Sequence, residues 1–400
     1  MTSHRILFRS AAVWIGLLTY TGCGLDLSPR DLTRLKAMAI PIEGAPLPAS
    51  PSNAVAESDA AAALGRAIFF DKGFSADGNV ACASCHAAAE GWSDDRPVSL
   101  GVANRPGGRH SMPVLTAARQ PWWFWDGRAD SMWSQAIAAM ESEAEMDFSR
   151  AQAAHHVASR YRPQYEAIFG ALPNLSGVPK RGKPGLSAWD KLPQPTQVAV
   201  ERVFVNVGKA LEAYERKLDC ANTRFDQWSR GEVAMTNEES SGAAIFVREG
   251  CADCHSGSNF SDGEFHNIGI GSNGPGPDNG RQSGAMALAL SRFNAAGPYS
   301  DNRAWGLSRL QAASAEHHTL GAFRTPSLRG VSQRRSFGHR GDHATLGDFL
   351  NHYDRLRPQA SAVGQLDPLL RGVNLNRGRD VERFLEMLAC RPVPSALSAP

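Results

Sequence analysis

Apolar side chains recur at three- and four-residue intervals along much of the chain, which is the spacing of an amphipathic helix. The longest such run contains Val200, Val203, Phe204, Val207, Leu211, Tyr214 and Leu218. A run near the C-terminus, DVERFLEMLAC, repeats the pattern on Val381, Phe384, Leu385 and Leu388. A third helix is predicted in SDAAAALGRAIFF, where Ser58 is available as the N-cap. Alternating patterns typical of strands are scarce, so the chain is predicted to be mainly α.

The length of the chain predicts two domains. Its 400 residues are 42% apolar, enough to bury more than one hydrophobic core. A stretch dense in proline and glycine, residues 173–195, marks a boundary. We therefore predict two helical domains, an N-terminal one at 57–195 and a C-terminal one at 196–400. The proline- and alanine-rich residues 23–56 are predicted to be a tether.

The N-terminus has the features of an export signal. Arg5 and Arg9 precede an apolar run that is too short to span a bilayer. The run ends at Cys23 after two small residues, which resembles a bacterial lipoprotein cleavage site. We predict that residues 1–22 are a signal peptide and that the mature chain is periplasmic. A lipid anchor at Cys23 is favoured over plain secretion.

Charge and cysteine content narrow the chemistry. A net charge of +2 provides no basic surface for nucleic acid. The chain has seven cysteines, and two C-x-x-C pairs and Cys23 account for five of them. The two others, Cys220 and Cys390, can pair in an oxidising compartment. A disulfide between them and two buried free thiols are both open.

The two C-x-x-C pairs are each followed at once by a histidine. The motifs consist of Cys82, Cys85 and His86, and of Cys251, Cys254 and His255. A zinc module would place its two knuckles about 15–20 residues apart, whereas 165 residues separate Cys85 from Cys251. A thioredoxin-like pair would need a βαβ pattern, which is absent. Covalent haem explains all three residues, because the thiols add to the vinyl groups and the imidazole binds the iron. We predict two haem c groups with His86 and His255 as proximal ligands.

Several longer blocks carry a family resemblance. LGRAIFFDKGFSADGNVACASCH, FWDGRADSMWSQA, GCADCHSGSNFSDGEFHNIG, FRTPSLRGV and HATLGDFLNHYD resemble bacterial di-haem cytochrome c peroxidases and their MauG-like relatives. The resemblance covers nearly all of residues 60–390. It implies two cytochrome c-like domains, in which the N-terminal haem reacts with hydrogen peroxide and the C-terminal haem transfers electrons.

The resemblance also suggests the second ligand of the C-terminal haem. In the peroxidases a methionine lies fourteen residues after the histidine of an H-D-G motif. Here the motif is HRG, starting at His339, and Tyr353 stands fourteen residues later, as in MauG-like members. A phenolate is a hard anionic ligand that stabilises high-valent iron better than a thioether does. The alternative is that Tyr353 is a packed aromatic and that His352 or His343 is the ligand.

At the N-terminal haem the resemblance implies an open iron position. Val102 stands where the ordinary peroxidases have a distal histidine, and the nearby His110 is better explained as structural. Gln135 and Glu145 align with the distal pocket, where a carboxylate can move the protons of peroxide. A proline usual between them is Ala139 here, so the pocket is predicted to be roomier.

Further assignments rest on the same resemblance. Trp125 is expected to relay charge between the haems, although it and its neighbouring tryptophans could equally be core aromatics. Arg128 is expected to pair with a haem propionate. The positions that bind interdomain calcium in the family are Ser111, Arg334 and Ser336 here. The added positive charge and the missing amide predict weak or absent calcium binding, which the sequence leaves open.

These expectations combine into a periplasmic di-haem c-type oxidoreductase of the MauG-like branch. It would react with hydrogen peroxide and oxidise a partner protein through high-valent haems. A conventional cytochrome c peroxidase, supplied with electrons by a small cytochrome, is the first alternative. A di-haem electron-transfer protein without enzymatic activity is the second.

Overall fold

The computed structural model describes residues 27–41, 45–272, 274, 276–313, 319–370 and 373–400. The predicted signal peptide and the predicted lipidation site Cys23 lie outside these residues. Within the described ranges, no helix is both long enough and apolar enough to cross a bilayer.

Helices form most of the ordered structure, as the spacing of apolar residues predicts. A π-helical segment, Val157–Tyr161, joins two of them in the first half of the chain. The α-helices of this half are α1 (Pro29–Lys36), α2 (Asp59–Phe69), α3 (Cys82–Cys85), α4 (Met132–Glu141), α5 (Arg150–His156), α6 (Arg162–Phe169), α7 (Ser187–Asp190) and α8 (Gln194–Glu215).

The second half continues with helices and one small sheet. Its α-helices are α9 (Arg224–Ser229), α10 (Asn237–Arg248), α11 (Cys251–Cys254), α12 (Arg281–Leu290), α13 (Arg303–Ala312), α14 (Leu346–Arg355), α15 (Gly378–Glu386) and α16 (Ser395–Ser398). The sheet consists of β1 (Phe265–His266) and β2 (Phe323–Arg324), which pair antiparallel with Phe265 opposite Arg324. In the described part of the chain the mainly α prediction is therefore confirmed.

The first hydrophobic core is built around α8. Helices α2, α4 and α5 all pack against it, and Trp133, Phe204 and Tyr214 are fully buried there. The helix α2 begins as predicted, with the Ser58 hydroxyl accepting a hydrogen bond from the Ala61 N–H at 3.2 Å. The predicted boundary at residue 195 assigned α8 to the second domain, but its apolar face completes the core of the first half.

The second core lies between α10 and α15. Phe246, Phe260 and Phe384 meet there edge to face or tilted, and all three are buried. The predicted tether also contributes, because Leu35 of α1 is fully buried in this core. Ile40 is buried as well, and its N–H donates to Asp226 at 2.9 Å. These residues of the predicted tether are therefore packed against the second half, because their apolar side chains cover its surface.

The two halves repeat one packing device. A Cβ on Gly65 of α2 would lie 1.9 Å from the carbonyl oxygen of Ala210 on α8. A Cβ on Gly242 of α10 would lie equally close, at 1.9 Å, to the carbonyl oxygen of Asp380 on α15. In each half, glycine therefore lets the helix that precedes the C-x-x-C-H motif pack in close contact with a later helix, α8 in the first half and α15 in the second. The repeat is visible in the backbone although the two halves share little sequence.

A disulfide and a buried ion pair hold the segment that follows α8 to the C-terminal part of the chain. Cys220 and Cys390 form a disulfide with a Cα–Cα distance of 5.0 Å, which confirms the pairing that the cysteine count left open. Arg329 and Asp226 form an ion pair at 2.9 Å, and both side chains are 0% exposed. The Arg329 Nε also donates to the carbonyl oxygen of Ser258, three residues after the second motif. Burial without a partner would be costly for either charge, so this pair fixes the loop that follows His255.

Candidate haem sites

The first C-x-x-C-H motif lies in the wall of a large cavity. Its two cysteines are the ends of the short helix α3, and the His86 N–H donates to the Cys82 carbonyl oxygen at 3.0 Å. The turn places Cys82, Cys85 and His86 together on a cavity of about 620 Å³. Burial lowers the pKa of His86 to about 4, so the imidazole is in the neutral form that binds a metal. Its buried Nδ1 has no hydrogen-bond partner in the described chain.

The predicted distal residues line the same cavity. Gln135, Ala139 and Glu145 all contribute to its surface. Burial raises the pKa of Glu145, and the charge of Arg128 opposes that shift. Val102 lies in the adjoining hydrophobic core, and its N–H donates to the Glu145 carbonyl oxygen at 2.8 Å. Residue 102 therefore holds the backbone of Glu145 through its main-chain N–H.

The second motif repeats the local geometry. Helix α11 spans its cysteines, and the His255 N–H donates to the Cys251 carbonyl oxygen at 2.8 Å. The His255 Nδ1 is 3.1 Å from the Phe260 carbonyl oxygen, which fixes the ring and leaves Nε2 for a metal. These residues line a narrower and more apolar cavity of about 140 Å³.

Tyr353 of α14 also lines the second cavity, close enough to the motif for Cys251 and Cys254 to affect its pKa. Burial, followed by these two thiols, raises that pKa, so a phenolate would form there only with an iron to stabilise it. The alternative ligands are placed differently. The His352 Nε2 is 2.7 Å from the Ile268 carbonyl oxygen, and His343 packs against Phe349. Neither histidine belongs to the described lining of this cavity.

One wall separates the two cavities and belongs to both, with His110, Trp125, Arg324 and Arg334 among its residues. The Trp125 indole donates to the His110 carbonyl oxygen at 2.8 Å, and the Arg324 N–H donates to the Trp125 carbonyl oxygen at 2.8 Å. The His110 ring is engaged on both sides, by the carbonyl oxygens of Arg96 and Pro97 and by Ser93. Both ring nitrogens of His110 are therefore engaged within the protein, and Trp125 belongs to the lining of both cavities.

Two arginines in this wall, the buried Arg324 and the partly buried Arg334, were not predicted to be haem-site residues. Arg324 is 4% exposed, and burial lowers its pKa to about 9. Burial likewise lowers the pKa of Arg334 to about 10. Within the described residues neither guanidinium forms an ion pair, and the Arg324 Nε has no hydrogen-bond partner. Two neighbouring cations facing the cavities favour an anion, and the two carboxylates of the haem propionates match the guanidinium fork. The FRTPSLRG block contains the sequence signal, since Arg324 is its second residue.

The other predicted polar contacts are engaged within the protein. Arg128 lines the first cavity, but its Nη1 donates to both oxygens of Asp126, at 3.0 and 3.1 Å. Of the positions matched to calcium ligands, the Ser111 carbonyl oxygen accepts from Ser93 at 2.6 Å, and Ser336 donates to the Asp95 carbonyl oxygen at 3.2 Å. Arg334 donates to two main-chain carbonyl oxygens nearby.

The residues present fit a haem in each cavity. Each has a C-x-x-C-H turn with an imidazole whose pKa is lowered by burial, and a main-chain carbonyl oxygen fixes the ring of His255. The shared wall supplies unneutralised positive charge for propionates. The fold and these two sites define a mainly helical di-haem protein.

Comparisons with known proteins agree. The family model of di-haem cytochrome c peroxidases matches residues 59–234. The methylamine utilization protein MauG of Methylorubrum extorquens is 29% identical over 381 residues, which cover 93% of this chain and 89% of MauG. The cytochrome-c peroxidase IdrP1 of Denitromonas iodatirespirans is 29% identical over 338 residues, covering 82% of this chain and 81% of IdrP1.

A solved structure shows the same fold. A MauG-like protein associated with microbial copper homeostasis matches with a TM-score of 0.65 at 21% identity, covering 90% of this chain and 97% of that one. The chain is thus similar to MauG and cytochrome-c peroxidase proteins over most of its length, and to the family model of di-haem cytochrome c peroxidases over residues 59–234. The family resemblance inferred from the sequence blocks is thereby confirmed.

Proposed function

We propose that this di-haem oxidoreductase reacts with hydrogen peroxide at the first cavity and oxidises a partner protein, in the manner of the MauG-like branch. When bound, the haems supply an iron that accepts peroxide and a second iron that shares the oxidising equivalents. Cys82, Cys85 and His86 would hold the first haem covalently. Cys251, Cys254 and His255 would hold the second.

Glu145 is proposed to move the protons of peroxide. Burial raises its pKa, which makes the carboxylate a better proton acceptor than an exposed one. In the ionised form its carboxylate would take a proton from the peroxide oxygen that approaches the cavity, and would then pass that proton to the departing oxygen. Gln135, on the same cavity wall, would orient the peroxide through its side-chain amide.

The wall between the cavities is proposed to connect the two sites. Trp125 contributes to both cavity surfaces and is held by hydrogen bonds on its indole N–H and its main-chain oxygen. Its indole would carry charge from one site to the other. Arg324 and Arg334 would bind propionates beside it, a role that the sequence had suggested for Arg128.

The observation that carries the MauG-like assignment is the position of Tyr353. It lines the second cavity beside the haem-attachment motif, whereas His343 and His352 do not. An oxygen ligand there favours storage of oxidising equivalents over simple electron transfer. A conventional peroxidase remains the second candidate, because the cytochrome-c peroxidase IdrP1 is as similar in sequence as MauG is.

The experiment is an optical and electron paramagnetic resonance spectrum of the fully oxidised protein, before and after one equivalent of peroxide and without prior reduction. We expect high-spin and low-spin signals at rest and a long-lived oxidised product in the wild type. Tyr353→Phe should lose the long-lived product. His352→Gln, on the same helix, is the matched control and should behave as the wild type does.

The outcomes separate the candidates. A protein that reacts with peroxide only after one haem has been reduced is a conventional peroxidase. Two low-spin haems that do not react with peroxide in either state would identify an electron carrier and contradict the proposed activity. A His352→Gln variant that loses the product while Tyr353→Phe keeps it would move the ligand to His352.

The cellular setting follows from the same proposal. Covalent haem attachment through C-x-x-C-H occurs outside the cytoplasm in bacteria, which agrees with the export signal predicted at residues 1–22. We therefore place the protein in the periplasm. Attachment to a membrane through Cys23 is the finer hypothesis, and mass spectrometry of the mature N-terminus would test it.

A further inference from the structure

One buried carboxyl group of the first cavity has no role in the proposed reaction. Glu215 is the last residue of α8, it is 5% exposed, and its side chain lines the cavity near Cys82. Within the described chain its carboxyl group has no hydrogen-bond donor and no ion-pair partner. A buried, unpartnered carboxyl group that faces a ligand cavity is costly, so the environment must favour one protonation state strongly.

The cations closest to Glu215 along the chain are bonded elsewhere. Arg216 pairs with Glu57, and Lys217 pairs with Asp59 at 2.8 Å. The charged group that does act on Glu215 is Glu212, one helical turn earlier, and its effect is unfavourable to ionisation. Burial and this second carboxyl group together raise the pKa of Glu215 to about 8.

The other titratable groups beside Glu215 provide no charge that would stabilise its carboxylate. Tyr214 and Cys82 both sense its charge. The Tyr214 hydroxyl donates to the Leu397 carbonyl oxygen at 2.5 Å and is itself shifted away from ionisation by burial. Cys82 does not titrate once it is bound to haem as a thioether. From the packed helix α2, Arg66 acts on Tyr214, and its guanidinium is bonded to the Ala396 carbonyl oxygen.

A route for a proton leads from Glu215 to the surface. Glu212 lies next to it on α8 and accepts hydrogen bonds from the Ser50 hydroxyl and from the Trp133 N–H. Ser50 is partly exposed, whereas Glu212 is buried. Glu212 therefore lies close enough to Glu215 to act on its charge, and it is hydrogen-bonded to a hydroxyl group that water can reach.

We propose that Glu215 holds a proton that is released when the first cavity gains positive charge and is taken up again when that charge is removed. Its ionisation would thus tune the reduction potential of the first haem, without contact between Glu215 and the reacting atoms. The proposal rests on the assignment of a haem to this cavity in the proposed function. For each electron that leaves the site to an oxidant, one proton leaves the Glu215 carboxyl group through Glu212 to water. On reduction, one electron and one proton return.

The test is the reduction potential of each haem in the holoprotein, measured by spectroelectrochemistry from about pH 6 to about pH 9, on either side of the raised pKa of Glu215. An ionised carboxylate favours the oxidised, more positive site, so the potential of the first haem should fall as pH rises. The slope should approach at most about 59 mV per pH unit, the value for one proton per electron. The second haem, in the same molecule, is the internal control and should show no such slope.

Three variants test whether Glu215 causes the pH dependence of the first haem's reduction potential. Glu215→Gln keeps the shape of the side chain but cannot ionise, so the potential of the first haem should become independent of pH. Glu215→Asp should restore the dependence. Glu212→Gln removes the neighbouring carboxyl group and should move the sloping region to lower pH, which tests the proposal even if Glu215→Gln fails to fold.

A flat potential in the wild type, or an unchanged slope in Glu215→Gln, would overturn the proposal. These outcomes are independent of peroxide chemistry. A pH-dependent potential in a protein that does not react with peroxide would refute the proposed function and leave the role of Glu215 standing.

Discussion

Removal of the disulfide between Cys220 and Cys390 should destabilise the protein more than most single substitutions do. The bond closes a loop with a sequence separation of 170 residues. The loop-closure relation then gives a loss of about 5 kcal/mol at 25 °C, because a reduced denatured chain has that much more conformational freedom. Haem attachment closes only the short loop inside each C-x-x-C pair, so it does not replace this constraint.

The measurement is urea unfolding followed by far-ultraviolet circular dichroism, with the holoprotein oxidised or with the disulfide reduced. The reduced wild type has the same composition as the oxidised protein, which isolates the cross-link from the packing of the sulfur atoms. A double variant, Cys220→Ala with Cys390→Ala, is the control for incomplete reduction. It should be at least as unstable as the reduced protein, because two buried sulfur atoms are also lost.

A free energy of unfolding that changes by less than about 1 kcal/mol would refute the reasoning. It would mean that the denatured chain is already confined, by residual structure or by haem contacts, so that the cross-link removes little freedom.

Two further predictions concern single carboxylates. Glu145→Gln should slow the reaction with peroxide by about 10²–10⁴-fold. The wild-type rate should rise as pH increases through the raised pKa of Glu145, and this rise should be absent from the variant. Stopped-flow mixing with peroxide across pH would measure both effects. Asp226→Asn should cost about 3–5 kcal/mol, because it leaves the fully buried Arg329 without its partner. Arg329 lowers the pKa of Asp226 against the opposing effect of burial, so the stabilisation is present above the unfolded pKa of about 3.9 and is lost as pH falls through the folded value. Urea unfolding at decreasing pH should therefore show a flatter acid limb for the variant, and an identical limb in both proteins would contradict this account.

The helices and the attachment motifs could be predicted because their signals are local. The apolar face of α8 and the N-cap Ser58 are visible within a few residues of sequence. Which core an apolar helix face packs against depends on the tertiary structure. The predicted boundary at residue 195 therefore separates α8 from the core that it completes. Leu35 and Ile40 show the same limit, since a segment rich in proline is packed down by a few apolar side chains once a surface is available.

Some polar residues of the site could be predicted from the sequence, and others could be found only in the structure. Trp125, Glu145 and Tyr353 were proposed from family blocks and line the cavities. Arg334 was considered only as an obstacle to calcium, although it lies in the shared wall. Glu215 gave no signal at all, because a carboxyl group at the end of an amphipathic helix is ordinarily solvated, and only the three-dimensional packing shows that it is enclosed.

The wall shared by the two cavities ties the assembly of one site to that of the other. Segments from both halves form it: the His110 N–H donates to the His339 carbonyl oxygen at 2.9 Å, and Arg109 bridges Asp126 and Asp278. A chain that has received one haem would lack packing on one face of Trp125, and the charges of Arg324 and Arg334 would stay partly unneutralised. Half-loaded protein should therefore be loosened throughout and open to periplasmic proteases, so that maturation selects for chains carrying both cofactors.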